Sequence, residues 1–139
     1  MSKPPRISGV LEAALYAEDL AAAEAFYAGV LGMKILVHSP PRHLFFRAGN
    51  SVLLVFNPVE TAQAKGTTDM PVPPHGAHGP GHACFAATRD EISLWRAVFA
   101  EKGIAIDAEF DWPNGARSLY VRDPAGNSVE FAEPRLWFP

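Results

Sequence analysis

The sequence predicts an α+β fold in which two βαβββ modules pair around a concave cleft. Three observations predict it. The chain is 139 residues long and 48% hydrophobic, enough apolar material for the core of one domain and too short for two ordinary ones. A Pro- and Gly-rich tract from Pro58 to Gly81 keeps neither a strand period nor a helix period and divides the chain into similar halves. The halves repeat one another. Glu12 and Leu15 stand 70 residues before His82 and Phe85, Asp19 and Gly32 stand 71 before Asp90 and Gly103, and Asn50 and Val52 stand 77 before Asn127 and Val129.

The elements follow in order. A first strand opens at Glu12-Ala-Ala-Leu15, and Asp19 is placed to N-cap a helix from Leu20 to Leu31, whose Leu20, Ala23, Phe26, Tyr27, Val30 and Leu31 recur at helical spacing before Gly32 ends it. Met33 to His38, Arg42 to Ala48 and Ser51 to Asn57 are short runs of β formers separated by turn residues. After the connector, His82 to Phe85 opens the second module, and Asp90 precedes a helix from Glu91 to Lys102 that Gly103 ends. Ile104 to Ile106, Ala116 to Arg122 and Asn127 to Glu133 read as its remaining strands, and the extra residues of the second half fall in the turn-rich stretch Asp107 to Gly115. The domain thus divides into an N-terminal module at 6–58, a connector at 59–81 and a C-terminal module at 82–139. One βαβββ unit cannot cover both faces of its sheet, so two must pair.

Charge and composition narrow the partners. The formal net charge is −3 with no basic stripe, which argues against nucleic acid. No apolar run approaches the roughly 18 residues of a membrane helix, and the start MSKPPRISGV has no apolar signal core, so a cytoplasmic location is expected. One cysteine, Cys84, excludes an intrachain disulfide.

Chemistry requires polar side chains interrupting apolar strands, and few qualify. Glu12 and His82 begin equivalent first strands, and Glu130 lies between Val129 and Phe131 on the last one. Brought together, they form an O, N, O donor set that suits a divalent ion such as Zn²⁺, Ni²⁺ or Mn²⁺. Each also has a bland reading: a solvated carboxylate for Glu12, a core or loop histidine for His82. Ser118 and Tyr120 alternate on one strand face as candidate substrate contacts, Arg117 is a candidate for an anionic group, and Trp112 could cover the cleft mouth. His75, His78 and His82 form H-x2-H-x3-H in a mobile loop, Cys84 reads as a small filler, and the Asp123-Pro-Ala-Gly-Asn127 stretch as a turn. Trp137 and Phe138 read as a packing arm or part of a subunit interface.

The segments Glu12 to Leu20, FYAGVLGM at 26–33, His82 to Phe85 and YVRDPAGNSVEF at 120–131 resemble the vicinal oxygen chelate superfamily, which includes glyoxalase I, extradiol dioxygenases, methylmalonyl-CoA epimerase, fosfomycin-resistance transferases and metal-free bleomycin-resistance proteins. The resemblance implies metal ligands at Glu12, His82 and Glu130, with Glu130 or Glu12 serving as general base. It aligns Leu53 with the second ligand position, where glyoxalase I has a glutamate, and makes Leu53 a substrate-lining residue. The expected protein is a divalent-metal enzyme, a lyase or isomerase rather than an Fe-dependent dioxygenase, acting as a homodimer on a small substrate with vicinal oxygens. The alternative is a metal-free drug-binding protein of the bleomycin-resistance kind.

Overall fold

The computed structural model describes residues 1–63 and 66–139. It holds two four-stranded sheets, each ordered first-fourth-third-second along its module. The first contains β1 (Glu12–Tyr16), β2 (Ile35–Ser39), β3 (His43–Ala48) and β4 (Ser51–Phe56), and the second β5 (His82–Ala86), β6 (Ala108–Asp111), β7 (Arg117–Arg122) and β8 (Ser128–Ala132). In both sheets the first strand runs parallel to the last and the others are antiparallel. Among the described residues no ladder joins the two sheets, and β1 and β5 are each an edge.

Strand alternation sends one side-chain set of each sheet toward the helices. Leu15, Leu44, Phe46, Leu53 and Val55 of the first sheet and Leu119, Val121, Val129 and Phe131 of the second enter a single hydrophobic core with Phe26, Tyr27, Ile92 and Phe99. The two modules therefore share one core on the helix side.

The helices differ. In the second module α3 (Arg89–Glu101) begins one residue before the expected cap, because Thr88 is the N-cap: its hydroxyl accepts from the Glu91 amide and the Glu91 side chain accepts from the Thr88 amide. In the first, Asp19 caps α1 (Leu20–Glu24) as expected, but the helix widens into a π-helical stretch at Ala25–Val30. There the Leu31 amide donates to the Phe26 carbonyl, an i→i+5 bond, and the wider turn carries both Phe26 and Tyr27 into the core. Gly32 and Gly103 end the two helices at φ of +70° and +69°, a conformation that favours glycine.

Another expectation is corrected in the second module. Ile104 to Ile106 is not its second strand; β6 lies at Ala108–Asp111, inside the stretch read as an inserted loop. The reason is register: the Asp107 amide donates to the Tyr120 carbonyl, and Ala108 to Asp111 pair with Tyr120 to Arg117. α2 (Pro58–Thr61) begins on the last residue of the first module and runs into the connector, which has no strand among its described residues, and residues 64 and 65 lie outside the described set.

The Asp123-to-Asn127 turn joins the modules. Tyr27 Oη donates to Asp123 Oδ2 at 2.6 Å, and Asn127 Nδ2 donates to the same oxygen at 2.9 Å and to the Tyr16 carbonyl at 3.0 Å. Asp123 Oδ1 accepts from the Ala125 and Asn127 amides. Asp123 is buried with every oxygen satisfied, and burial followed by its charge drives the Tyr27 phenol far above its ordinary pKa.

Candidate functional site

The polar face of the second sheet gathers around Glu130. β8 lies between β5 and β7, so Glu130 is flanked by Cys84 on one side and Tyr120 on the other. Val129 and Phe131 point into the core, and alternation puts Glu130 on the other face, yet it is only 6% exposed. His82, opposite Ser128 on β5, places its Nδ1 3.0 Å from the Ser128 carbonyl and its Nε2 3.2 Å from Glu130 Oε1. A carbonyl can only accept, so Nδ1 carries a proton. In the neutral imidazole Nε2 is then an acceptor facing a carboxylate oxygen, and such a pair calls for a second ring proton or a cation between the two atoms.

The other carboxylate oxygen is committed. Ser118 Oγ donates to Glu130 Oε2 at 2.5 Å, and Trp112 Nε1 donates to Ser118 Oγ at 2.8 Å. Tyr120 lies beside this group, and desolvation, then hydrogen bonding to Glu130 and its charge, pushes the phenol up to about 12. Desolvation followed by the Glu130 charge pushes the Cys84 thiol up to about 12 as well. Cys84 is therefore a thiol rather than a nucleophilic thiolate at neutral pH.

Of the residues singled out from sequence, His82, Glu130, Ser118, Tyr120 and Trp112 come together on this sheet. Glu12 does not join them within the chain: it is exposed at the start of β1 in the other sheet, and among the described residues no three His, Cys, Asp or Glu side chains are placed to hold a metal ion. The His82 and Glu130 pair fits two positions of such a site, with an imidazole oriented by a backbone carbonyl and a buried carboxylate at its free nitrogen.

Two expectations are corrected. Leu53 is buried among the helix-side core residues. Because Glu12 pairs with Val52 as His82 pairs with Ser128, the counterpart of Glu130 in the first sheet is Leu54, one residue later. A one-residue slip exchanges the faces of a strand, so sequence offset alone chose the wrong one. Arg117 is on the face opposite Ser118 and Tyr120, bound to Glu109 at 2.9 Å and to Asp111 at 2.9 and 3.0 Å. Arg96 also binds Glu109, and Arg89 binds Asp111 and Glu133. Arg117 thus belongs to a network that joins α3 to β6 and β7.

The histidine triplet is dispersed. His75 Nδ1 lies 2.7 Å from Tyr16 Oη and its ring stands edge-on to Phe56 at 4.5 Å. His78 lies 3.8 Å from Glu18, and only His82 reaches the Glu130 group. The Tyr16–His75 bond fixes a residue of the connector on the first sheet. No sequence spacing announced it, since the two residues are 59 positions apart.

Two βαβββ units with a shared helix-side core, and a histidine–carboxylate pair on the first and last strands of one of them, define the class. Residues 9–131 match the Glyoxalase/Bleomycin resistance protein/Dioxygenase superfamily, and the chain belongs to that superfamily. Its structure is similar to the crystal structure of lactoylglutathione lyase from Agrobacterium tumefaciens, with a TM-score of 0.88 and 45% identity over 96% of this chain and 98% of that one. Two more distant structures share the fold. A glyoxalase family protein from Bacillus anthracis has a TM-score of 0.71 and 19% identity over 94% of this chain and 98% of that one. A glyoxalase/bleomycin resistance protein/dioxygenase from Nocardioides has a TM-score of 0.69 and 22% identity over 96% and 85%. Comparison with curated proteins gives no match. No helix among the described residues is long and apolar enough to cross a membrane.

Proposed function

We propose that the protein is a divalent-metal-dependent enzyme of the lyase or isomerase kind that acts on a small substrate with adjacent oxygens. The observation that carries the proposal is the His82 Nε2 and Glu130 Oε1 pair, 3.2 Å apart with the other imidazole nitrogen tied to a carbonyl, an arrangement that can take a cation between the two atoms. His82 and Glu130 would hold the ion, with Glu12 as third donor. Since Glu12 is on the other sheet and outside the pair, we assign it to the site of a second copy, making the active unit a homodimer whose site is completed across two chains. The similarity to a lactoylglutathione lyase supports the reaction class. Leu54, where a fourth donor would stand, leaves a three-residue protein set with room for substrate oxygens.

When bound, the ion supplies Lewis-acid stabilisation of negative charge on a substrate oxygen. With Oε2 held by Ser118, Glu130 Oε1 would be the oxygen to take and return a substrate proton whenever it is not engaged by the ion. Tyr120, neutral at physiological pH, is a hydrogen-bond donor at the edge of the same site.

One observation favours a second reading, a metal-free binder of aromatic drugs. The first sheet presents a ring surface on its corresponding face, where His43 stacks on Phe45 at 4.2 Å and Phe56 meets both edge-on. Elemental analysis of protein purified without chelator separates the two. The metalloenzyme holds about one ion per chain after reloading with Ni²⁺, Mn²⁺ or Zn²⁺, and H82A loses it. Less than about a tenth of an equivalent before and after reloading would reject it. A melting temperature that ignores metals and rises with a cationic glycopeptide drug would favour the binder.

A further inference from the structure

We propose that Ser118 and Trp112 are positioning residues for Glu130, forming a hydrogen-bond relay of fixed direction that holds one carboxylate oxygen and turns the other toward His82. The inference rests on the reading of His82 and Glu130 as the reactive pair. It also reassigns two residues that sequence alone offered as substrate contacts.

The direction follows from what each group can do. An indole Nε1 has a proton and no available lone pair, so Trp112 can only donate. Ser118 Oγ accepts that bond at 2.8 Å, which leaves its single proton for Glu130 Oε2 at 2.5 Å. Oε2 is thereby an acceptor, and Oε1 is the oxygen that faces His82 Nε2. Ser118 is fully buried. Rotating the carboxylate would leave the buried Ser118 hydroxyl without its acceptor, a larger penalty than losing an exposed hydrogen bond.

The far end of the relay is itself held. The Trp112 amide donates to the Ala116 carbonyl and the Gly115 amide to the Trp112 carbonyl, both at 2.8 Å, closing a tight turn. Asn114 Nδ2 ties that turn to the Arg135 carbonyl at 3.2 Å, and the indole packs edge-on to Phe110 with ring centres 4.7 Å apart. The turn between β6 and β7 thus sets the orientation of a carboxylate on β8. This turn lies in the residues the first module lacks, so the relay is particular to the second module.

Two measurements on S118A, S118T and W112F test this. Crystal structures of the metal-free variants read the carboxylate directly. The relay predicts that in S118A Glu130 turns and Oε1 leaves hydrogen-bond reach of His82, that W112F moves it in the same sense, and that S118T keeps it in place. Equilibrium dialysis with Mn²⁺ reads the consequence: affinity falls about 10- to 100-fold in S118A, as for loss of other partners that orient metal ligands, with S118T close to wild type. A melting temperature of S118A near that of wild type separates this loss from general unfolding. An unmoved Glu130 in S118A, or Mn²⁺ affinity in S118A within about twofold of wild type, overturns the relay. If wild type takes up no Mn²⁺, the metalloenzyme reading fails while the carboxylate orientation still decides the relay.

Discussion

On the face away from the helices the first sheet presents Tyr16, His43, Phe45, Leu54 and Phe56, whereas the second presents His82, Ser118, Tyr120 and Glu130 on the corresponding strands. Both sheets have the same strand order and the same pairing, and both send aliphatic and aromatic residues toward one shared core. The backbone plan therefore does not dictate where the chemistry goes. On the central fourth strand Leu54 of the first sheet stands where the second has Glu130, and that exchange gives only the second face a buried carboxylate. Duplication lets one copy supply a ring-lined wall while the other holds the polar groups.

The modules also differ in how they are fastened, and the largest stability effect is expected there. Tyr27 of the first module donates to buried Asp123 of the second, and Asn127 of the second donates back to the Tyr16 carbonyl of the first. Y27F removes the donor but leaves Asp123 its Asn127 partners, so unfolding free energy should fall by about 1 to 3 kcal/mol. Urea unfolding measures it. A stability equal to wild type would mean that the Tyr27–Asp123 bond adds nothing to the joining of the halves.

A smaller effect is expected from the charged seam of the second module. Hydrogen bonding from Arg96, and from Arg117 after it, lowers the Glu109 carboxyl below its ordinary value, and hydrogen bonding from Arg117 lowers Asp111. Carboxylates lowered by folding stabilise the protein above their unfolded pKa, and that contribution disappears as pH falls through the lower folded values. Melting temperatures from pH 7 to pH 3 should therefore fall less steeply for R117A than for wild type. Because Arg117 faces away from Glu130, Mn²⁺ affinity of R117A should stay within about twofold of wild type. A metal defect in R117A would break the separation between the two faces of this sheet.

Much of this arrangement could be read from the sequence, and the parts that could not have physical reasons. The repeat offsets placed Glu12 and His82 on equivalent strands, and the apolar neighbours Val129 and Phe131 marked Glu130 as an anomaly. Strand parity was lost at Leu53 because a repeat offset carries no record of pairing register. β6 was missed because Ala108 to Asp111 has modest β propensity and is held by pairing with β7, a non-local cause. The Asp123 and Asn127 turn was legible as a turn, but its partners Tyr27 and Tyr16 lie 96 and 111 residues away, beyond any local pattern. Arg117 looked available because sequence cannot show that Glu109 and Asp111 already hold it.

The sharing of a site between two copies is tested most directly by mixing two inactive variants. E12A and E130A should each bind little Mn²⁺ alone. Unfolded together and refolded, half of the dimers are mixed, and each mixed dimer rebuilds one site from the Glu12 of one chain and the His82 and Glu130 of the other, so Mn²⁺ binding should return to roughly a quarter of the wild-type level. No recovery on mixing, with refolded wild type binding fully, would contradict a site shared between chains.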